Sequence, residues 1–185
     1  MTADVLCRYA TDGDGRLVFV DEAWCAFAAA NDAPEYAAPE RLYGRMLLSF
    51  ISEPTTKLIY VALMQRVVEQ RQPVSVPFRC DAPALRRWLE LTMTARDDGG
   101  IDFVSRQLHS EPRDPPFDFR GAPHGASTLV RMCSWCKNVE LSPDTWGTAE
   151  EAVRAFGLFG AASVPQVTHG ICPPCVARFE LDLRR

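Results

Sequence analysis

Four of the seven cysteines, Cys133, Cys136, Cys172 and Cys175, form two Cys-x-x-Cys pairs separated by 35 residues. No other pattern limits the fold so strongly. Each pair suits a tight turn that aims two thiolates at one point, and two such turns complete the shell of a tetrahedral Zn2+ ion. A disulfide framework does not fit the context. Met1-Thr2-Ala3-Asp4 has no basic segment leading into an apolar one, so no secretory leader is expected and the chain is expected to be cytoplasmic, where thiols stay reduced. A thioredoxin-like redox pair needs a strand-to-helix junction within a strand-helix-strand unit, a pattern the sequence around either pair does not predict. An iron–sulfur cluster would use the same four thiolates and stays open. His169, three residues before Cys172, is a fifth candidate. In an all-cysteine site it would hydrogen-bond a sulfur or carbonyl from outside the ligand set; the alternative is three cysteines plus His169.

The 185 residues are 47% hydrophobic and 24% charged, enough to bury a core. The longest apolar runs fall well short of the roughly 20 residues needed to span a bilayer, so no membrane association is expected. Residues 1–109 read as strands around helices. Val5, Cys7 and Tyr9 alternate with more polar neighbours, Asp12-Gly13-Asp14-Gly15 makes a turn, and Leu17 to Val20 returns, giving a hairpin. Asp21 caps a helix with Trp24, Phe27 and Ala28 on one face. Ser52 is placed to cap a longer helix carrying Leu58, Ile59, Ala62, Leu63 and Val67 through to Gln70. Three strands follow, around Val74 to Cys80, Leu89 to Met93 and Ile101 to Leu108. The order predicts an α+β domain, an antiparallel sheet with helices on one face.

Residues 110–128 hold four prolines and no apolar periodicity, which predicts a linker or an extended strap. Residues 129–185 form the four-cysteine module. In it Thr148-Ala149-Glu150-Glu151 is a capping box opening a helix with Val153, Phe156 and Phe159, and Val176 to Phe179 starts a short terminal helix. About 57 residues make a small core that needs a metal staple.

The order of elements over residues 5–109, with Val18-Phe19-Val20-Asp21-Glu22-Ala23-Trp24 entering the first helix and Gly44-Arg45-Met46 leading to Phe50-Ile51, resembles a PAS sensor domain. Asp21 stands where such domains usually have asparagine. Met132-Cys133-Ser134-Trp135-Cys136-Lys137 and Thr168-His169-Gly170-Ile171-Cys172-Pro173-Pro174-Cys175 resemble the zinc-binding tail that follows sensory domains in bacterial signalling proteins. The resemblance implies a pocket between sheet and helices, here around Trp24, Phe27, Phe78, Cys80 and Leu91, holding a small apolar ligand or simply packed. Two cofactors of such domains are not expected. The stretch after Gly44 reads Arg45-Met46-Leu47-Leu48-Ser49-Phe50 and lacks a flavin-reactive cysteine, and residues 54–70 contain no histidine for haem. A homodimer is a further implication of the resemblance.

These readings lead to a signal-transduction regulator or adaptor that acts through a protein partner. A zinc-ribbon transcription regulator is the alternative, but residues 129–185 carry six basic and six acidic side chains and the whole chain has a net charge of -4, whereas a nucleic-acid footprint should be basic. A thiolate-based redox sensor is a second alternative. An enzyme is not expected, because two Cys pairs close the metal shell that a catalytic zinc keeps open.

Overall fold

Period-two alternation does build the first sheet. The computed structural model describes residues 4–31, 33–82, 84–112, 124–157 and 164–183, which fall into two units, Met1–Asp114 and Pro115–Arg185. The first contains β1 (Asp4–Thr11), β2 (Leu17–Val20), α1 (Glu22–Ala30), three single-turn 3-10 segments, α2 (Pro54–Gln70), β3 (Val74–Arg79), β4 (Leu85–Ala95) and β5 (Ile101–Pro112). The strands lie in the order β2-β1-β5-β4-β3, every neighbouring pair antiparallel. The result is the expected α+β unit built on an antiparallel sheet.

The inner face of that sheet is the core. Leu89, Leu91 and Met93 of β4 and Ile101 and Phe103 of β5 are buried, every second residue, as a half-buried strand requires. Helix α1 packs on β1, and α2 on β4 and β5. Tyr9 stacks on Phe103 with centroids 4.6 Å apart and meets Trp24 of α1 edge-on at 5.0 Å. Asp21 fixes the entry of α1: one carboxylate oxygen accepts the Trp24 N–H at 2.8 Å, as an N-cap does. The other accepts the Arg8 N–H at 2.9 Å and so ties the helix to β1. Gly100 has no substitute, since a Cβ there would run into the Thr11 carbonyl.

Helix α2 departs from expectation at two points. Its N-cap is Glu53, not Ser52: the Glu53 carboxylate takes the N–H groups of Thr55 at 2.9 Å and Thr56 at 2.6 Å. Pro54 occupies the first helical position, which leaves Ser52 one residue too early. Leu63 and Val67 are buried, but Leu58 is 70% exposed. The apolar residues of α2 form two stripes, and Leu58 belongs to the outward one.

The Pro-rich segment 110–128 begins and ends in strand. Strand β5 continues to Pro112, paired with Leu85 of β4, and β6 begins at His124. Both ends of the segment 110–128 are therefore strand, and residues 113–123 lie outside the described residues.

The second unit contains strands that its sequence gave no sign of. It comprises β6 (His124–Cys133), β7 (Val139–Ser142), β8 (Thr145–Gly147), α3 (Ala149–Ala155), β9 (Val164–Gly170) and α4 (Pro173–Leu183). The sheet order is β8-β7-β6-β9, with β6 and β9 parallel and the remaining pairs antiparallel. The capping box is present: Thr148 Oγ1 accepts the Glu151 N–H, and the Glu151 carboxylate accepts the Thr148 N–H at 2.7 Å. Val130, Val139 and Ala152 are its buried centre, flanked by Met132, Leu141 and Phe156. Phe159 lies outside the described residues. Helix α4 starts at Pro173, three residues before the expected Val176.

Candidate functional site

Parallel pairing of β6 with β9 sets the two cysteine turns side by side. Cys133 ends β6 in register with Gly170 of β9. The chain then turns through Ser134-Trp135-Cys136: the Lys137 N–H bonds the Cys133 carbonyl at 3.0 Å, and the Cys133 N–H bonds the Asn138 carbonyl at 2.7 Å. Lys137 closes the turn with φ 63°, its ammonium on the Ser134 carbonyl at 2.8 Å. The second pair uses a helix start. The Cys172 carbonyl accepts the N–H groups of Cys175 and Val176, each at 3.0 Å. The two residues between the cysteines are prolines, which bring no unpaired N–H to the first turn. Cys172 N–H points back at Cys133 Sγ at 3.5 Å, and Ser134 N–H bonds the Gly170 carbonyl, so the turns are cross-linked before any metal is considered. Trp135, inside the first turn, packs edge-on against Phe179 of α4 at 4.7 Å. Both rings are buried.

The four sulfurs lie within 4.8 Å of one another, and Cys136 Sγ is 3.6 Å from Cys172 Sγ. A tetrahedral ion with metal–sulfur bonds of about 2.3 Å holds its ligands about 3.8 Å apart. The donors present therefore fit one thiolate-bound metal ion. Their electrostatics agree: hydrogen bonds from the thiols of Cys136 and Cys175 hold Cys133 far below the usual thiol range. The bond to Cys133 pushes Cys136 up to about 12 against the opposing bond to Cys175, and the bonds to Cys133 and Cys136 push Cys175 up as well. Four thiolates crowded together need a cation before all can ionise. His169 stands exposed on β9 beside the turns and is not among the side chains gathered there.

A separate cavity of about 310 Å³ opens between the sheet and helices of the first unit. All five residues placed there from sequence, Trp24, Phe27, Phe78, Cys80 and Leu91, line it. Residues not foreseen supply its polar wall: Cys7, Tyr9, Asn31, Tyr60 and Ser105. The hydroxyls of Tyr9 and Tyr60 share a hydrogen bond. Burial, reinforced by Asp21 and Cys80, pushes the Cys7 thiol up to about 12, so it faces the cavity as a neutral thiol rather than a nucleophile. Burial likewise raises Tyr60 to about 12. One wall is braced from behind by Arg87, itself buried. It donates to the Cys80 carbonyl at 2.8 Å and to Asn31 Oδ1 at 2.6 Å, and its guanidinium lies over the Phe27 ring at 4.8 Å. No sequence pattern marks Arg87, because a charged residue at an inward strand position reads as a break in the alternation.

No protein-family model matches the chain, and no curated protein matches it. Among solved structures it is similar to an RNA-binding Light-Oxygen-Voltage receptor, at 22% identity and a TM-score of 0.39, over 55% of this chain and 27% of the receptor. Topology and site define an antiparallel α+β domain followed by a four-cysteine unit able to hold a metal ion. Among the described residues no helix is long and apolar enough to cross a membrane.

Proposed function

We propose that this protein is a bacterial signal-transduction regulator or adaptor. A PAS-like domain binds a small apolar ligand or a protein partner, and a structural zinc module is joined to it, with no catalytic output of its own. The observation that carries the reading is the cavity: about 310 Å³ of largely apolar lining, six of its side chains aromatic, with a few polar groups, at the lower end of the usual ligand-site range of roughly 300–1,000 Å³. Zinc is favoured over an iron–sulfur cluster because the sulfurs converge on one point, whereas a cluster spreads its cysteines over separate irons. Four sulfurs also fill a tetrahedral shell and leave no position for substrate, which supports a structural role. The protein acts in the cytoplasm through association, as a homodimer or with another protein.

Purified full-length protein tests both halves. One zinc per chain and no visible absorption are expected; iron with a broad visible band would replace the zinc assignment. For the cavity, Ala28→Leu fills space beside Phe27. Small aromatic compounds that raise the melting temperature of the parent protein should lose that effect in the variant. A shift that survives Ala28→Leu places the ligand elsewhere and removes the sensor reading. A mobility assay with duplex DNA and short RNA at low salt tests the transcription-regulator alternative, with no retardation expected.

A further inference from the structure

The outward stripe of α2 has its own partner surface. Val61, Met64 and Val68 form one wall of a second cavity, about 330 Å³, whose other walls are the β1–β2 turn, Met46 and Leu48, and Ile101 at the start of β5. It lies at the end of the sheet where the two hairpin turns meet, and its lining shares no residue with the aromatic cavity. Gly15 takes the left-handed backbone of the turn at φ +80°, and the methyl groups of Met46 and Met64 lie close to it. Met46 is 38% and Val68 40% exposed, and Leu58, one turn before Val61, continues the stripe.

The charges at this groove are of one sign. Asp12, Asp14 and Glu69 line it, and no Lys or Arg does. Asp12 is engaged by its own turn, accepting the N–H groups of Asp14 and Arg16. Among the described residues no basic side chain pairs with Asp14 or Glu69. The whole first unit carries 13 basic against 17 acidic residues.

We propose that this groove receives a basic amphipathic helix of a protein partner. Unbranched methionines adapt to the leucine or phenylalanine anchors of such a helix. Asp14 and Glu69 face the Lys and Arg residues that flank the anchors, which sets orientation and speeds encounter. A helix brings its own backbone hydrogen bonds satisfied, which suits walls made of side chains. A second copy of this acidic chain would meet like charge, and a small apolar ligand would leave the carboxylates idle. The inference extends the adaptor half of the proposed function, but it needs neither a ligand in the aromatic cavity nor a metal at the cysteines.

The test uses full-length protein and a fluorescent synthetic peptide of about 18 residues, long enough to form a helix, with leucines at i, i+3, i+4 and i+7 and Lys and Arg beside them. A control peptide carries Glu in place of Lys and Arg. Saturable anisotropy is expected with the basic peptide only. Val68→Glu, and separately Asp14→Lys with Glu69→Lys, should each weaken binding by roughly tenfold or more. Leu108→Glu, an exposed site seven residues beyond Ile101 on β5, should leave it unchanged. Circular dichroism of each variant confirms folding. Absence of saturation up to roughly 0.1 mM peptide, equal binding by Val68→Glu, or equal binding of the acidic control overturns the proposal. A dimer that Val68→Glu breaks in sedimentation would assign the groove to a second copy instead. The aromatic-compound assay on Ala28→Leu reads the other cavity, so either proposal can fail while the other stands.

Discussion

The two units of this chain reach stability by different physics. The first buries a continuous layer of β4 and β5 side chains beneath two helices, with Phe103, Leu63, Val67 and Met93 almost wholly out of water. The second centres on Val130, Val139 and Ala152, plus the Trp135–Phe179 pair, and the rest of its order converges on four sulfurs. A small core is insufficient where a large one is not, so the shorter unit spends sequence on ligands instead of hydrophobes.

Removing the metal should separate them most sharply. Cys133→Ser, or a strong chelator, is expected to unfold the second unit and leave the first intact, since structural zinc supplies on the order of 10–16 kcal/mol of apparent binding free energy. Loss of NMR dispersion for residues after 124 with retention before 112 would establish the contrast. Loss in both would show one cooperative unit. The converse change is Phe103→Ala, which deletes a fully buried ring and should cost about 3–5 kcal/mol in urea unfolding. Zinc content should stay at one per chain.

The pH responses should run in opposite directions. Cys7, held near 12 by burial, and Tyr60, also near 12, are raised above their unfolded values. Their contribution is complete below pH 9 and declines as pH climbs toward 12. A Cys7→Ala variant should flatten that alkaline decline in the first unit. The thiolates of the second unit must stay deprotonated to hold metal, so zinc should be released as pH falls. Coincident loss of both units at one end of the scale would contradict the contrast.

The smallest effects concern single turns. Glu53 sits near 2 because the Thr55 and Thr56 N–H bonds outweigh the opposing effect of its burial. Its cap is therefore present above the ordinary carboxylate range and lost as pH drops toward 2. Glu53→Ala should cost the first unit about 1 kcal/mol, and Thr148→Ala the second unit a similar amount, near the usual worth of an N-cap. Chemical denaturation of each variant measures both. A cost several times larger at Thr148 would mean that α3 anchors the small core rather than decorating it.

Much of this was legible along the chain, and the parts that were not share a cause. The sheet of the first unit could be read because each strand alternates alone, Leu89-Leu91-Met93 needing no knowledge of its neighbour. The metal site could be read because Cys-x-x-Cys is a local geometry repeated. Glu53 as cap differs from Ser52 by a single residue, below the resolution of a pattern. The strands of the second unit could not be read: β7 and β8 are too short to alternate, and β6 emerges from a Pro-rich stretch.

Local spacing specified an antiparallel α+β domain and two pairs of thiolates, each within a turn or two of chain, and the family resemblance implied five residues of a cavity. Tertiary structure decided the rest. It set β6 parallel to β9, so that Cys133 meets Cys172, and left His169 out of the sulfur cluster. It placed Arg87 behind the cavity wall, turned Leu58 outward, and set Val68 beside Asp14 and Glu69. Each depends on residues far apart in the chain becoming neighbours, and the free energy of that meeting belongs to packing and burial, which no local pattern encodes.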